Sequence, residues 1–146
     1  MDFLVMCIGN REGGDDAVGP YISDQLKETD IDVIDCGTNP ENYTSVVKRK
    51  NPEKLIMVDA ADMGLEPGEI RRVQKEKIGV MTISTHGIPV SVLMNYLERS
   101  VKEVILIGIQ PKTMSGEMSK VVREKANKLI EIITKKIDLK KIKKLE

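Results

Sequence analysis

Asp16, Asp59 and His86 are the residues of this 146-residue chain whose types and settings best suit chemistry. Two carboxylates and an imidazole make an oxygen, oxygen, nitrogen donor set that suits a divalent ion of borderline preference. Each of the three follows an apolar run or stands just beyond one. Asp59 directly follows residues 55–58 (LIMV) and is expected at the carboxyl end of a buried strand. His86, the single histidine, sits in the turn Ser84-Thr85-His86-Gly87 before a helix. The positive end of a helix dipole disfavours the imidazolium and leaves the neutral ring that binds metals. Asp15 and Asp16 close a polar, glycine-containing turn after the first apolar run. Acids before a helix commonly serve as caps. That reading suits Asp15 if Asp16 turns inward to the sheet edge. Glu12 reads as a solvated loop acid, and Asp62 as a cap of the loop after Asp59.

Other chemistries fit less well. The turn after the first strand reads Gly-Asn-Arg-Glu-Gly-Gly, which is neither the dinucleotide fingerprint nor a P-loop. Acids at the following helix start would repel a pyrophosphate. Ser84 could join a Ser-His-Asp triad on paper, but no Gly-x-Ser-x-Gly elbow exists. Cys7 lies within an apolar run, which argues against a catalytic thiol. Cys7 and Cys36 form no Cys-x-x-Cys pair, so no zinc knuckle or redox couple is read, and a reduced cytoplasmic protein is expected. Lys plus Arg equals Asp plus Glu at 23 each, which gives no reason to expect a nucleic-acid partner. Aromatic residues make up 3% and Trp is absent, which argues against a base-stacking platform. The apolar N-terminal stretch of about seven residues is a first strand rather than a signal peptide or membrane span.

The elements that must position these residues alternate along the chain. Residues 3–8 (FLVMCI), 31–35 (IDVID), 55–58 (LIMV) and 103–109 (EVILIGI) read as strands, the first and third without polar alternation. Unbroken apolar runs of this kind suit strands buried on both faces of a parallel sheet. Residues 69–73 (EIRRV) read as an antiparallel edge strand, and residues 78–83 as a strand fragment or an ordered loop. A helix begins between Asp16 and Gly19, with Pro20 in its first turn. Asn39-Pro40 caps and starts a second helix. Ile88, Val92, Leu93 and Tyr96 trace the apolar face of a third, and residues 121–133 form a long amphipathic helix. Residues 135–146 carry six lysines. They are expected to be a lysine-rich extension, a frayed, solvated helix end. The whole is expected to be a single α/β domain: a three-layer, mostly parallel, five-stranded twisted sheet with helices on both faces. In such sheets, functional residues gather beyond the carboxyl ends of the strands.

Several segments together resemble the nickel-iron hydrogenase maturation proteases. They are Gly9-Asn10, Asp15-Asp16 and Gly19; Asp35-Cys36-Gly37-Thr38; Met57-Val58-Asp59-Ala60; Ser84-Thr85-His86; and Ile107-Gly108-Ile109-Gln110-Pro111. The match is collinear over roughly residues 3 to 120. The chain departs from the family at Cys36, where a second glycine is frequent, and at Glu12-Gly13-Gly14, where an apolar residue is frequent. The resemblance implies an endopeptidase, aspartic-type in the family's classification, that clips a C-terminal extension from a hydrogenase large-subunit precursor after nickel insertion. It also implies that Asp16, Asp59 and His86 recognise the nickel. That metal is carried by the substrate, and no resident cofactor is expected. Asp16 or Asp59 is then the candidate general base for an attacking water. The same three ligands would also serve a non-catalytic nickel-sensing docking module. A weaker alternative is a hydrolase with its own metal.

Overall fold

The computed structural model of the protein describes residues 2–78 and 88–146, together with the backbone of residues 82–83. The strands are β1 (Phe3–Cys7), β2 (Val33–Asp35), β3 (Lys54–Asp62), β4 (Ile70–Val73), β5 (Thr82–Ile83) and β6 (Glu103–Ile109). The helices are α1 (Val18–Leu26), α2 (Thr44–Lys50), α3 (Lys75–Ile78), α4 (Val90–Leu97) and α5 (Lys120–Thr134). Five strands run in the order β2-β1-β3-β6-β4, and β5 pairs with the far end of β3. β2, β1, β3 and β6 are mutually parallel, whereas β4 is an antiparallel edge. This is the mostly parallel α/β sheet that the unbroken apolar runs predict.

Burial explains the layers. Leu4, Met6, Leu55 and Met57 face Val47 of α2 and Val90, Leu93 and Leu97 of α4. The alternate positions Val5, Cys7, Ile56 and Val58 face Val18 and Ile22 of α1 and Val122, Ala126 and Leu129 of α5. α1 and α5 therefore cover one face, and α2 and α4 the other. The chain leaves β1 towards β2 over one face and returns to β3 over the opposite face. The crevice at this reversal lies between the carboxyl ends of β1 and β3, where open α/β sheets bind their ligands.

Three expectations are corrected. β3 does not stop at Val58. It continues to Asp62, pairing with β6 through Ala60 opposite Ile109 and with β5 at Ala61 and Asp62. Asp59 is thus inside the strand, opposite Gly108. The Asp-Ala-Ala-Asp run carries no strand signature of its own, and partners on both flanks extend it. On α4 the buried residues are Val90, Leu93, Met94 and Leu97. Ile88, Val92 and Tyr96, expected on the buried face, are exposed. The Lys-rich end is not a frayed helix. The chain leaves α5 through Lys136 at φ 56°, and Leu139, Ile142 and Leu145 are buried. Arg72 of β4 donates from Nε to the Ile142 carbonyl (2.7 Å), and its backbone pairs with Lys143 and Leu145. The lysines stay in water while the apolar residues cover an otherwise open sheet edge. No described helix is long and apolar enough to cross a membrane.

Candidate active site

The loop between β1 and α1 is wound tightly enough to require glycine at two places. A Cβ on Gly9 (φ +155°) would lie 2.0 Å from the Asp16 carbonyl oxygen, and one on Gly19 would lie 2.1 Å from that of Ile8. The first contact lets the loop fold back over the end of β1, and the second seats α1 directly on that strand. Within the loop, Gly13 N–H donates to the Asn10 carbonyl (3.0 Å) and Asp16 N–H to the Gly13 carbonyl (3.1 Å). Residues Gly14–Ala17 then form a 3-10 turn that leads into α1. The Arg11 guanidinium makes two bonds to the Asp24 carboxylate (2.8 and 2.9 Å) and one to Asp35 (2.5 Å), tying the loop to α1 and the end of β2.

Asp15 and Asp16 have different jobs. Asp15 is fully buried and accepts from the backbone N–H groups of Lys112 (2.7 Å), Thr113 (3.0 Å) and Ser119 (2.6 Å), and from Ser119 Oγ (2.9 Å). Burial acts to raise its pKa, but these donors outweigh it and hold the carboxyl below its ordinary value. Asp15 does not cap α1, the role its type suggests; it holds Ser119, the N-cap residue of α5, and the segment before it. Asp16 is 3% exposed and accepts from the Asn10 N–H (3.0 Å).

Asp59 is fully buried in the crevice. By strand alternation it shares a face with Met57, on the side covered by α2 and α4. Neither of its carboxylate oxygens has a hydrogen-bond partner among the described residues. Burial pushes its pKa well above the ordinary carboxylate range, and the charge of Asp16 pushes it further, against a smaller opposing pull from the Ala60 N–H. Two acidic side chains, brought together from positions 43 apart in the chain, therefore share one dry site. A buried carboxyl whose oxygens find no partner in the hydrogen-bond geometry of the described residues, with a second carboxyl nearby, favours a proton or a cation.

Sequence reasoning gave Gln110 no structural role of its own. Gln110, just after β6, accepts through Oε1 from the N–H groups of Met63 (2.7 Å) and Leu65 (3.2 Å), and donates through Nε2 to Asp62 (3.2 Å). It fastens the loop that follows β3 to the end of β6. A polar amide directly after an unbroken apolar strand is the signal that marks it. Cys7 and Cys36 are buried, and burial followed by the Asp35 charge pushes the Cys36 thiol up to about 12, so neither offers a thiolate. Glu12 is exposed, as expected of a loop acid. His86 and Ser84 lie outside the described residues. Among the described residues, no three His, Cys, Asp or Glu side chains are arranged to hold a metal.

A model of the family described as hydrogenase maturation protease matches residues 18–136. The chain is 38% identical over 115 residues to the Hydrogenase 3 maturation protease of Escherichia coli strain K12, a match spanning 76% of this chain and 74% of that protein. It is 34% identical over 147 residues to a putative hydrogenase maturation protease of Methanocaldococcus jannaschii, spanning 89% and 87%. The crystal structure of a Hydrogenase 3 maturation protease superposes with a TM-score of 0.92 at 29% identity, covering 100% of this chain and 97% of that one. The NiFe hydrogenase maturation protease HycI from Thermococcus kodakarensis KOD1 superposes at 0.81 with 32% identity, covering 92% and 90%.

Proposed function

Since the chain belongs to the hydrogenase maturation protease family, we propose that it removes the C-terminal extension of a nickel-iron hydrogenase large-subunit precursor, and that Asp16, Asp59 and His86 read the nickel already inserted in that substrate. The observation that carries this reading is Asp59. It is a fully buried carboxyl whose oxygens have no partner among the described residues, and a second acid raises its pKa further. An arriving divalent ion would relieve both costs at once, because an opposite charge favours the ionised form.

Ile83 pairs antiparallel with Ala61, two residues beyond Asp59 on β3. The part given to His86, which lies outside the described residues, comes from its residue type and from the family resemblance. Asp59 faces the side of the sheet covered by α4, which begins four residues after His86.

In the reaction, the substrate's nickel fixes the register of the precursor's C-terminal segment against the crevice. Holding the scissile carbonyl beside the carboxylates supplies proximity. A water attacks that carbonyl, one of the two carboxylates takes its proton as general base, and the C–N bond breaks as that proton passes to the leaving nitrogen, which makes the enzyme a carboxylate-dependent peptidase. Asp16 accepts from the Asn10 N–H, which orients its carboxylate for that role.

The experiment mixes purified protein with nickel-loaded and nickel-free precursor and weighs the products by mass spectrometry. The reading predicts a shortened large subunit only in the loaded sample. An intact loaded precursor would make the protein a docking module, and equal cleavage of both samples would remove nickel from the account. Metal analysis of the purified protein should find no stoichiometric metal, because the ion belongs to the substrate.

A further inference from the structure

Asp16 stands in a short turn, and something must fix that turn to within a fraction of an ångström for its carboxylate to act. The Asn10 N–H restrains the carboxylate itself, but Asn10 belongs to the same loop. The loop's tie through Arg11 is half in solvent, and exposed ion pairs hold geometry weakly. The firm attachment is made by the neighbouring residue. Asp15 engages the segment between β6 and α5 through five hydrogen bonds. Its own N–H donates to the Thr113 carbonyl (2.8 Å). Its carboxylate accepts from Lys112, Thr113 and Ser119, the last through both backbone and hydroxyl. All of these partners lie about a hundred residues away in the chain, in the segment that joins β6 to α5.

The contact is close as well as bonded. A Cβ on Gly14 would lie 2.6 Å from the Ser115 backbone nitrogen, so the turn and this segment touch through main chain. Ser119 holds the N-cap position of α5, yet its side chain makes no capping bond to its own helix. Its hydroxyl is committed to Asp15 instead. The start of a 15-residue helix is thereby bolted to the turn that carries Asp16.

We propose that Asp15 is a positioning residue for the proteolytic reaction, with Ser119 as its partner: together they set where the Asp16 carboxylate stands relative to Asp59. The claim rests on the function proposed above. Chain neighbours in this turn divide the work, Asp15 facing outward to the α5 start and Asp16 facing Asp59. Loss of the outer attachment lets the turn rotate, and Asp16 loses its place beside Asp59 without any change to Asp16 itself.

The test uses the full chain with nickel-loaded precursor and the variants Asp15→Asn, Ser119→Ala and Ser119→Thr. Leu139→Ala, under the C-terminal segment, is a destabilised control remote from the site. At a temperature where circular dichroism shows every variant folded, Asp15→Asn should lower the turnover number by about tenfold to a hundredfold. Ser119→Ala should lower it less, and Ser119→Thr, which keeps the hydroxyl, should restore it. Leu139→Ala should cleave at the wild-type rate despite its lower Tm. A second readout needs no substrate: the carboxyl 13C resonance of Asp59, which senses Asp16, should move in Asp15→Asn and Ser119→Ala but not in Leu139→Ala. Wild-type turnover in folded Asp15→Asn, or an unmoved Asp59 resonance, would overturn the proposal. If the wild-type protein itself cleaves nothing, the proteolytic reading falls, and the Asp59 resonance alone decides whether Asp15 sets the geometry.

Discussion

Asp59 lies beside Asp16 in a dry crevice, and the charge of Asp16 adds to burial in holding Asp59 protonated well above the ordinary carboxylate range. The protein therefore carries a stability cost at its own site. A carboxyl whose folded pKa is raised binds more protons in the native state than in the unfolded state. Stability is then full below the unfolded value near 4 and declines as pH rises towards the raised value, by up to about 1.4 kcal/mol per pH unit. Asp59→Asn should flatten this slope and raise stability at neutral pH while abolishing precursor processing. Urea denaturation of both proteins between pH 4 and 8 checks it. Parallel slopes would mean that Asp59 titrates normally.

Asp15 makes the opposite contribution. Its lowered pKa means that it stabilises the fold above the unfolded value and that this stability is lost as pH falls through the folded value. Asp15→Ala leaves buried donors on Lys112, Thr113 and Ser119 without their acceptor. It should cost at least about 3 kcal/mol at pH 7, since each stranded buried group costs about 1–3. The shift in denaturation midpoint measures it.

Gly19 is where helix and strand meet without a side chain between them. The methyl of Gly19→Ala would stand 2.1 Å from the Ile8 carbonyl oxygen, and backbone on both sides leaves nothing soft to yield. α1 must lift from β1, at a cost of roughly 3 kcal/mol or more, the upper end of overpacking. Thermal unfolding should show a loss far larger than at Gly37, where an added Cβ meets nothing within 4 Å, although φ +57° strains any substitution there.

The C-terminal segment should behave as part of the fold. Deleting residues 139–146 removes three buried apolar side chains and bares the edge of β4. Stability should fall by roughly 4.5–9 kcal/mol, because each of the three buried aliphatic side chains is worth about 1.5–3. Light scattering should also show association through the exposed edge. Arg72→Ala should reproduce part of the loss, since it removes the bonds to Ile142 and Lys140.

The sheet and its order of layers were legible because residues 3–8, 55–58 and 103–109 are apolar on both faces, and only a doubly covered sheet accommodates that. The meeting of Asp16 and Asp59 in one crevice was legible because both follow apolar runs of neighbouring strands. What escaped was set by partners distant in sequence. The extension of β3 past Asp59 depends on β5 and β6. The type of Asp15 suggests a cap for α1, and its actual target, 104 residues away, was not visible. Ile88, just before α4, and Val92 and Tyr96 on it share a spacing as regular as the buried residues, so periodicity alone could not say which stripe faces inward. In the Lys-rich end, the charges suggested solvent, and only the edge of β4 gives Leu139, Ile142 and Leu145 somewhere to go.

The central claim is that Asp16, Asp59 and His86 act as one reader of the substrate's nickel. The most direct measurement is the rate of cleavage of nickel-loaded large-subunit precursor by Asp16→Asn, Asp59→Asn and His86→Ala, followed by intact mass, with circular dichroism showing each variant folded. The account predicts that each single substitution lowers the rate by at least about a hundredfold. Cleavage at the wild-type rate by any one of the three would contradict it.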